Sequence, residues 1–411
     1  MICPDPLLND VPSEAQLFDL AIVGGGVVGL TLAAALRDRG LAIAIVESRP
    51  KNVVADRLRA YHFSLLSSRI LAGIGVWPQI ESQVAKFQGI RLSDGDENSV
   101  VEFSPRETES EHLGYGAEHR VLVTELQQFL EDHVQWFCPN KVTAITNQSA
   151  WSELALTQGA ETHIIRAKLV VGADGPKSEV RQFAGIEARG WKYWQSCVTA
   201  RIHHPEVENH AAFERFWPTG PMGVLPLDPH HSQIVWTAPH ADAKAWQLLP
   251  ESEFIDKLEA YTSGLLGSLS LISPRQVFPV QLLQCDRYVQ PRLALVGDAA
   301  HCCHPVGGQG LNQGIRDAAA LAEIIEAAVE RDQDPGSLAV LKRYERWRKP
   351  ENYIVLGLTD LLDRSFSNAF WPLQWSRRVA LGIMKRLSPL KVFSIRLMTG
   401  LLLRLPSLAQ R

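Results

Sequence analysis

An apolar run, Phe18–Val23, leads directly into Gly24-Gly25-Gly26-Val27-Val28-Gly29, and a second apolar run, Ala42–Val46, ends at Glu47. Between them a helical pattern extends from Val27 to about Arg39 and stops at Gly40. Strand, glycine-rich turn, helix and strand in this order predict a β–turn–α–β unit. The glycines are spaced G-x-G-x-x-G. Gly24 allows a tight turn, Gly26 lets a pyrophosphate approach backbone N–H groups, and Gly29 lets helix and strand pack closely. The helix N-terminus adds a favourable dipole for phosphate. Glu47, 18 residues after Gly29, can accept hydrogen bonds from ribose hydroxyls. Glycines alone fit any βα turn. Strand, helix and acid together select dinucleotide binding, with Gly24, Gly26, Val28, Gly29 and Glu47 as candidate contacts.

Two further strand ends carry the same signature. Val170–Gly172 delivers Asp174 into the turn Gly172-Ala173-Asp174-Gly175-Pro176, followed by a helical segment. Taken alone, Asp174 reads as a helix cap. Leu295-Val296 ends in Gly297-Asp298-Ala299-Ala300-His301, and the loop Pro305-Val306-Gly307-Gly308-Gln309-Gly310 opens a long Ala-rich helix, Leu311–Arg331. Backbone N–H groups at such a helix start can hold negative charge.

Between these landmarks, Ser64–Gly73 and Val121–Val134 read as helices and Ile164–Val171 as a strand. Five β-type runs, at Cys197–Ile202, Phe213–Trp217, Gly223–Leu227, Ile234–Thr237 and Gln276–Leu282, are spaced by Pro, Gly and His turns. They predict a separate antiparallel sheet. His203-His204 and His230-His231 fall in its turns, where solvated imidazoles are expected. Helices are expected from Leu338 onward, broken near Pro350, Pro372 and Pro389.

Hydrophobic residues make up 46% of the 411 and charged residues 21%, which fits a globular chain rather than a disordered one. No apolar stretch is long enough to span a bilayer. The six cysteines form no C-x-x-C pair and read as reduced thiols of a cytoplasmic protein. The start, Met1–Gln16, reads as a disordered lead-in without a targeting signal. Residues 364–411 contain nine basic side chains and no acidic one, so a +9 tail and a −13 body make up the net −4.

The three strand-end turns together resemble the flavoprotein monooxygenases of the para-hydroxybenzoate hydroxylase type. Within that group, Gly297–Gly314 is similar to the G-D-A-A-H-x-x-H-P-x-x-G-Q-G-x-N-x-G of the ubiquinone-biosynthesis hydroxylases. Phe216–Leu227 resembles their F-x-x-x-G-P-x-x-x-L-P-L stretch, and Phe366–Gly400 their C-terminal region. The resemblance implies FAD as cofactor, NAD(P)H as a transient reductant and O2 as co-substrate. One oxygen would pass through a flavin C4a-hydroperoxide to the ring of a hydrophobic aromatic substrate, a polyprenyl phenol or quinone precursor. It adds Arg59, Arg120, Asp174, Gly297, Asp298, Pro305, Gly308, Gly310, Leu311 and Asn312 to the cofactor-binding candidates, with His119 an equal match to the position of Arg120. Tyr61-His62-Phe63-Ser64 is bulkier than the segment expected after Arg59, and Trp191, Trp194 and Trp217 have no counterpart in the pattern.

The fold class that follows is α/β: a Rossmann-like FAD-binding domain (1–75, 117–180 and 285–350), an inserted antiparallel β-sheet substrate domain (76–116 and 181–284) and a helical C-terminal region (351–411). No catalytic acid or base stands out. His301-Cys302-Cys303-His304 lacks the spacing of a structural zinc site, and neither a metal nor a nucleic-acid partner is expected. Other flavoenzymes on the same scaffold, such as a prenyl reductase, remain alternatives, as does a flavin-bound non-catalytic subunit of a quinone-biosynthesis complex; a biosynthetic complex or a homo-oligomer is the expected range of protein partners. Lys391–Leu405 has nine large apolar residues among fifteen. Such a segment can lie at a membrane interface with its basic residues toward anionic headgroups, or cover the body of the protein or a partner.

Overall fold

The computed structural model describes residues 15–95, 100–368 and 370–410; most of the lead-in Met1–Gln16, Cys3 and Arg411 lie outside them. The first strand, Leu17–Val23, is apolar on both faces, and Ala21 and Ile22 are fully buried. Only the middle of a sheet covered on both sides accepts such a segment. It lies parallel to Ile43–Val46 on one side and Glu161–Gly172 on the other. Gln135–Phe137 and Leu293–Leu295 extend the parallel order outward. The helices Val27–Leu36 and Gln309–Val329 pack against each other.

The register fixes where the chemistry goes. Val23 pairs with Val46 and Gly172, and Gly172 pairs with Leu295. Four strands therefore stop at one level, and Gly24, Glu47, Ala173 and Val296 leave the sheet at its carboxyl edge. In open α/β sheets this edge is where ligands bind.

A second sheet contains all five expected runs, observed as Ala188–His203, Ala211–Trp217, Gly220–Pro226, His231–Pro239 and Gln276–Cys285. Gly89–Asp94 adds to it in parallel with Ala211–Trp217, and Val100–Phe103 closes that edge. One face is covered by two helices that the sequence reading did not include, His240–Leu248 and Glu251–Thr262. Each follows a proline, Pro239 or Pro250, and Trp246 and Phe254 bury Trp236 between them. His204 is also not solvated: it is buried, bonded to Ser232 and the Val207 carbonyl, because its turn folds back on the sheet.

The C-terminal region departs from expectation at two places. Leu338–Phe366 is one helix running through Pro350. A proline removes one intrahelical bond, but Arg348, Glu351 and Asn352 around it are tied to buried partners, which hold the helix across the gap. The breaks before Pro372 and Pro389 occur, giving helices Trp371–Arg386 and Ser388–Met398. Lys391–Leu405 is not one interfacial helix. Its helical part ends at Met398, Ile395 is fully buried, and Gly400 turns the chain with φ +82°. Beyond it the chain docks on the first domain: the Thr399 carbonyl accepts from Leu66 N–H, and Glu323 accepts from Arg404 and Ser407.

Candidate cofactor and substrate site

One cavity of about 1130 Å³ runs from Gly26 and Val28 at the sheet edge to Leu381 and Met384 in the C-terminal helices. Its first half is backbone and glycine. Gly24 has φ +116°, and a Cβ there would lie 2.4 Å from the Ala173 carbonyl oxygen. A Cβ on Gly29 would stand 2.2 Å from the Gly24 oxygen, whereas one on Gly26 would meet nothing within 4 Å. Gly24 and Gly29 are thus packing residues, and Gly26 faces open space.

Glu47 is buried and already engaged. Its Oε2 accepts from Gly25 N–H at 2.9 Å and its Oε1 from Arg49 N–H at 3.1 Å. It fixes the turn that carries Gly26 and is absent from the cavity lining. Asp174 also stands behind the lining, while Ala173, Gly175 and Lys177 form it. Its Oδ2 accepts from the N–H groups of Glu179 and Val180, as a helix cap does, and its Oδ1 is buried without a partner.

Asp298, Pro305, Gly308, Gly310 and Leu311 line the cavity, as does Arg59. The Asp298 side chain is solvent-accessible and lines this cavity. Burial pushes its carboxyl pKa up, with His301 and Arg59 pulling the other way. Asn312 does not reach the cavity. Its amide bonds the His62 and Gly308 carbonyls, and its oxygen accepts from Ser64 N–H and Ser67 Oγ, so it staples the loop to the neighbouring helix start. Arg120 is another correction: it lies outside the cavity, largely exposed, 3.9 Å from Asp56. The helix starts at His119, and His119, Leu122 and Val123 form its buried face, which turns Arg120 outward. His119 lines the cavity instead. Its Nε2–H donates to the Val54 carbonyl and its Nδ1 accepts from Tyr61 Oη at 3.0 Å. Burial and three nearby arginines lower its pKa to about 4, leaving the ring neutral.

Behind the Gly297 turn lies a network that sequence reasoning missed. Asp317, fully buried in the long helix, accepts from Gly297 N–H at 3.0 Å and His301 Nε2 at 2.6 Å through Oδ2. Its Oδ1 accepts from Arg348 and Asn352. Burial alone would raise this carboxyl, but His301 and Arg348 hold it well below the usual carboxylate range. The available signal was an aspartate inside an otherwise Ala-rich helix. His304 instead faces Asp363 and Gln195, and the described residues contain no group of three or more potential metal ligands. Trp191 and Trp194 are exposed and Trp217 packs on Tyr261, so none of the three lines the cavity.

The other half of the cavity is apolar side chain: Phe87, Ile90, Phe216 and Leu225 of the sheet region, with Leu381 and Met384. Arg377, whose guanidinium forms a buried pair with Asp94 at 3.1 Å, fastens Trp371–Arg386 to the second sheet. One carboxyl, Glu214, projects into this half.

A dinucleotide fits these features: open space at Gly26 before a helix N-terminus, and an accessible acid at Asp298. A family model described as an FAD binding domain matches residues 18–355. Over 95% of the chain, the sequence is 51% identical to an uncharacterised Synechocystis protein, slr1300, and 35% identical to the ubiquinone hydroxylase UbiL of Rhodospirillum rubrum, covering 95% and 91% of those proteins. The 3-demethoxyubiquinol 3-hydroxylase of Escherichia coli is 34% identical over 94% of this chain and 99% of its own. The chain belongs to this family of FAD-dependent hydroxylases. It is an FAD-dependent monooxygenase of aromatic compounds. The p-nitrophenol 4-monooxygenase PnpA of Pseudomonas putida shares the fold at 19% identity, with a TM-score of 0.79 over 94% of this chain and 99% of that one.

Proposed function

We propose that the enzyme hydroxylates the ring of a polyprenyl phenol or a related quinone precursor, taken up from a membrane surface. The observation that carries this reading is the two-part cavity, whose apolar half opens among the C-terminal helices. A phenol ring reaching the Pro305–Gly310 loop would leave a prenyl chain along Phe216, Leu381 and Met384. The relatives named for ubiquinone hydroxylation support the same substrate class.

When bound, FAD supplies O2 activation at the expense of NAD(P)H. In this reading the N–H groups around Gly26 and the helix start at Val27–Val28 hold its pyrophosphate, and Asp298 accepts a hydrogen bond from its ribityl chain. The loop Pro305–Leu311, braced by Asn312, would hold its ring. Arg59 would lend it a polar contact, and neutral His119, both of whose ring nitrogens are engaged, would hold Tyr61 in place beside it. The apolar half orients the substrate and excludes water. The division into an FAD-binding domain (1–75, 117–180, 285–350), a substrate domain (76–116, 181–284) and a C-terminal region (351–411) is part of the proposal.

Membrane contact is supported by Trp371 and Trp375, 74% and 63% exposed, and by Leu361, Phe370, Ile383 and Leu387, all exposed large apolar side chains. Leu361 also lines the cavity, so this surface adjoins its mouth. Lys385 and Arg386 lie on the same helix and are exposed. No helix among the described residues is long and apolar enough to cross a membrane. The test of function is deletion of the coding sequence followed by mass spectrometry of lipid extracts. Accumulation of a precursor one oxygen lighter than a quinone intermediate is expected; an unchanged quinone pool would overturn the substrate assignment.

A further inference from the structure

Asp298, the carboxyl among the cofactor residues that line the cavity, is assigned to the ribityl chain, and among the described residues the apolar half of the cavity contains a second carboxyl. Glu214 sits in strand Ala211–Trp217, paired with Gly223 on one side and Leu92 on the other. Gly223 leaves its carboxyl uncovered: a Cβ there would lie 3.3 Å from Glu214 Oε2. The adjacent cation does not neutralise it, because Arg215 reaches the Tyr261 carbonyl and Ser263 on the far side of the sheet. Among the described residues its hydrogen bond is a long one, from Gly307 N–H at 3.4 Å. Gly307 belongs to the loop assigned to the flavin ring, and its carbonyl is held by His62 Nδ1 at 2.9 Å. Glu214 therefore stands where the flavin loop meets the substrate wall.

We propose that Glu214 accepts the proton of the substrate's phenolic hydroxyl during ring hydroxylation. This rests on the phenol reading given above. The O–H bond of the phenol breaks, its proton forms a new O–H bond on the Glu214 carboxylate, and the electron pair left on oxygen raises the nucleophilicity of the ring. The monooxygenase reaction places one atom of O2 on the ring and reduces the other to water with two electrons from the nicotinamide. The ring carbon that gains oxygen loses its hydrogen as a proton when aromaticity returns, that proton ends in the water, and Glu214 returns its own proton to the first oxygen. Burial pushes the Glu214 carboxyl up to about 7, with the Gly307 N–H opposing, so it can be ionised or protonated near neutrality. The other titratable groups lining the cavity are Arg57, Arg59, Tyr61, His62, His119, Lys177, Asp298, Cys302, Cys303 and Arg377. Burial lowers His62 and His119 and raises Tyr61, Asp298 and both thiols, and Arg377 is committed to Asp94.

The test uses the full-length FAD-loaded enzyme with 2-geranylphenol and its methyl ether, which has no phenolic proton. Glu214→Gln should keep the flavin and lower product formation from the phenol on the order of a hundredfold. The acidic limb of the wild-type pH profile, near neutrality, should vanish. In binding followed by flavin fluorescence, the wild type should prefer phenol over ether by about tenfold above neutral pH. Glu214→Leu should show no preference. A Gln variant with the wild-type rate and acidic limb overturns the role of Glu214 while leaving the substrate reading intact. A wild type that ignores phenol and ether alike overturns both.

Discussion

The two halves of the cavity are built in opposite ways. The cofactor half is backbone: strand ends in register, N–H groups, and glycines whose missing Cβ atoms define the space. The substrate half is side chain: aromatic and aliphatic groups from the second sheet and from helices far away in sequence. A backbone-built wall tolerates little change where its glycines are also packed into the fold, as at Gly24 and Gly29, and loses its space where they are not, as at Gly26. A side-chain wall can be altered piecewise, so it is where a scaffold shared with PnpA can differ in what it admits.

The largest effect that would test this contrast lies behind the cofactor half. Asp317→Ala should leave Arg348 and His301 buried without their carboxylate, costing about 3–5 kcal/mol, measured by denaturant unfolding. A loss below about 1 kcal/mol would show the network to be dispensable. Next come two glycines only three positions apart. Gly29→Ala drives a Cβ into the Gly24 carbonyl and should destabilise the apoprotein by roughly 1–3 kcal/mol. Gly26→Val should leave apoprotein stability unchanged and abolish flavin binding, read from visible absorbance. Full flavin occupancy in Gly26→Val breaks the assignment of that space to pyrophosphate. Asp298→Ala should weaken FAD by about 1.5–3 kcal/mol if its bond to the ribityl chain is charge-assisted, measured by flavin release on dilution.

Asp317 and Glu214 should also respond to pH with opposite sign. Asp317 is depressed, so its contribution to stability is complete above the ordinary carboxylate range and is lost as pH falls through and below it. Glu214 is raised from 4.5 to about 7, so the folded state binds the extra proton between those values and stability falls as pH rises through that window. Glu214→Gln should therefore be more stable than the wild type at pH 8 (about one unit above that pKa), with the difference fading toward pH 4.5. Equal unfolding profiles at both ends would remove the case for a desolvated, weakly bonded carboxyl. The smallest effect belongs to the surface. Lys385→Glu with Arg386→Glu should reduce co-sedimentation with anionic vesicles by up to about 1 kcal/mol per charge, and only at low salt.

The same contrast explains what could be read before the structure. The glycine spacings, Asp298 and the Pro305–Leu311 loop were legible because each obeys a local rule of backbone geometry. Asn312 and Glu47 were legible as positions of a motif, but their engagement by the chain itself was not, since it depends on partners at His62, Ser64 and Gly25. Arg120 and His119 could not be separated without the exact helix start. Glu214, Asp317 and the Asp94–Arg377 pair were invisible, because a single charge in an apolar segment does not announce what faces it. The tail's excess of positive charge was legible, yet much of it is spent on the body: Arg377 on Asp94, Lys391 on Glu107 and Arg404 on Glu323.

The Asp94–Arg377 pair joins residues 283 positions apart. A ribosome makes Asp94 and the neighbouring strands long before the helix that answers them. Until Trp371–Arg386 arrives, the growing chain can complete every turn of the nucleotide-binding edge while Phe103, Phe216 and Val306, which later pack with Leu381 and Ile395, have no cover. The birth order of the two walls is thus fixed by the gene: the hydrophilic cofactor's berth first, and the greasy trough sealed last.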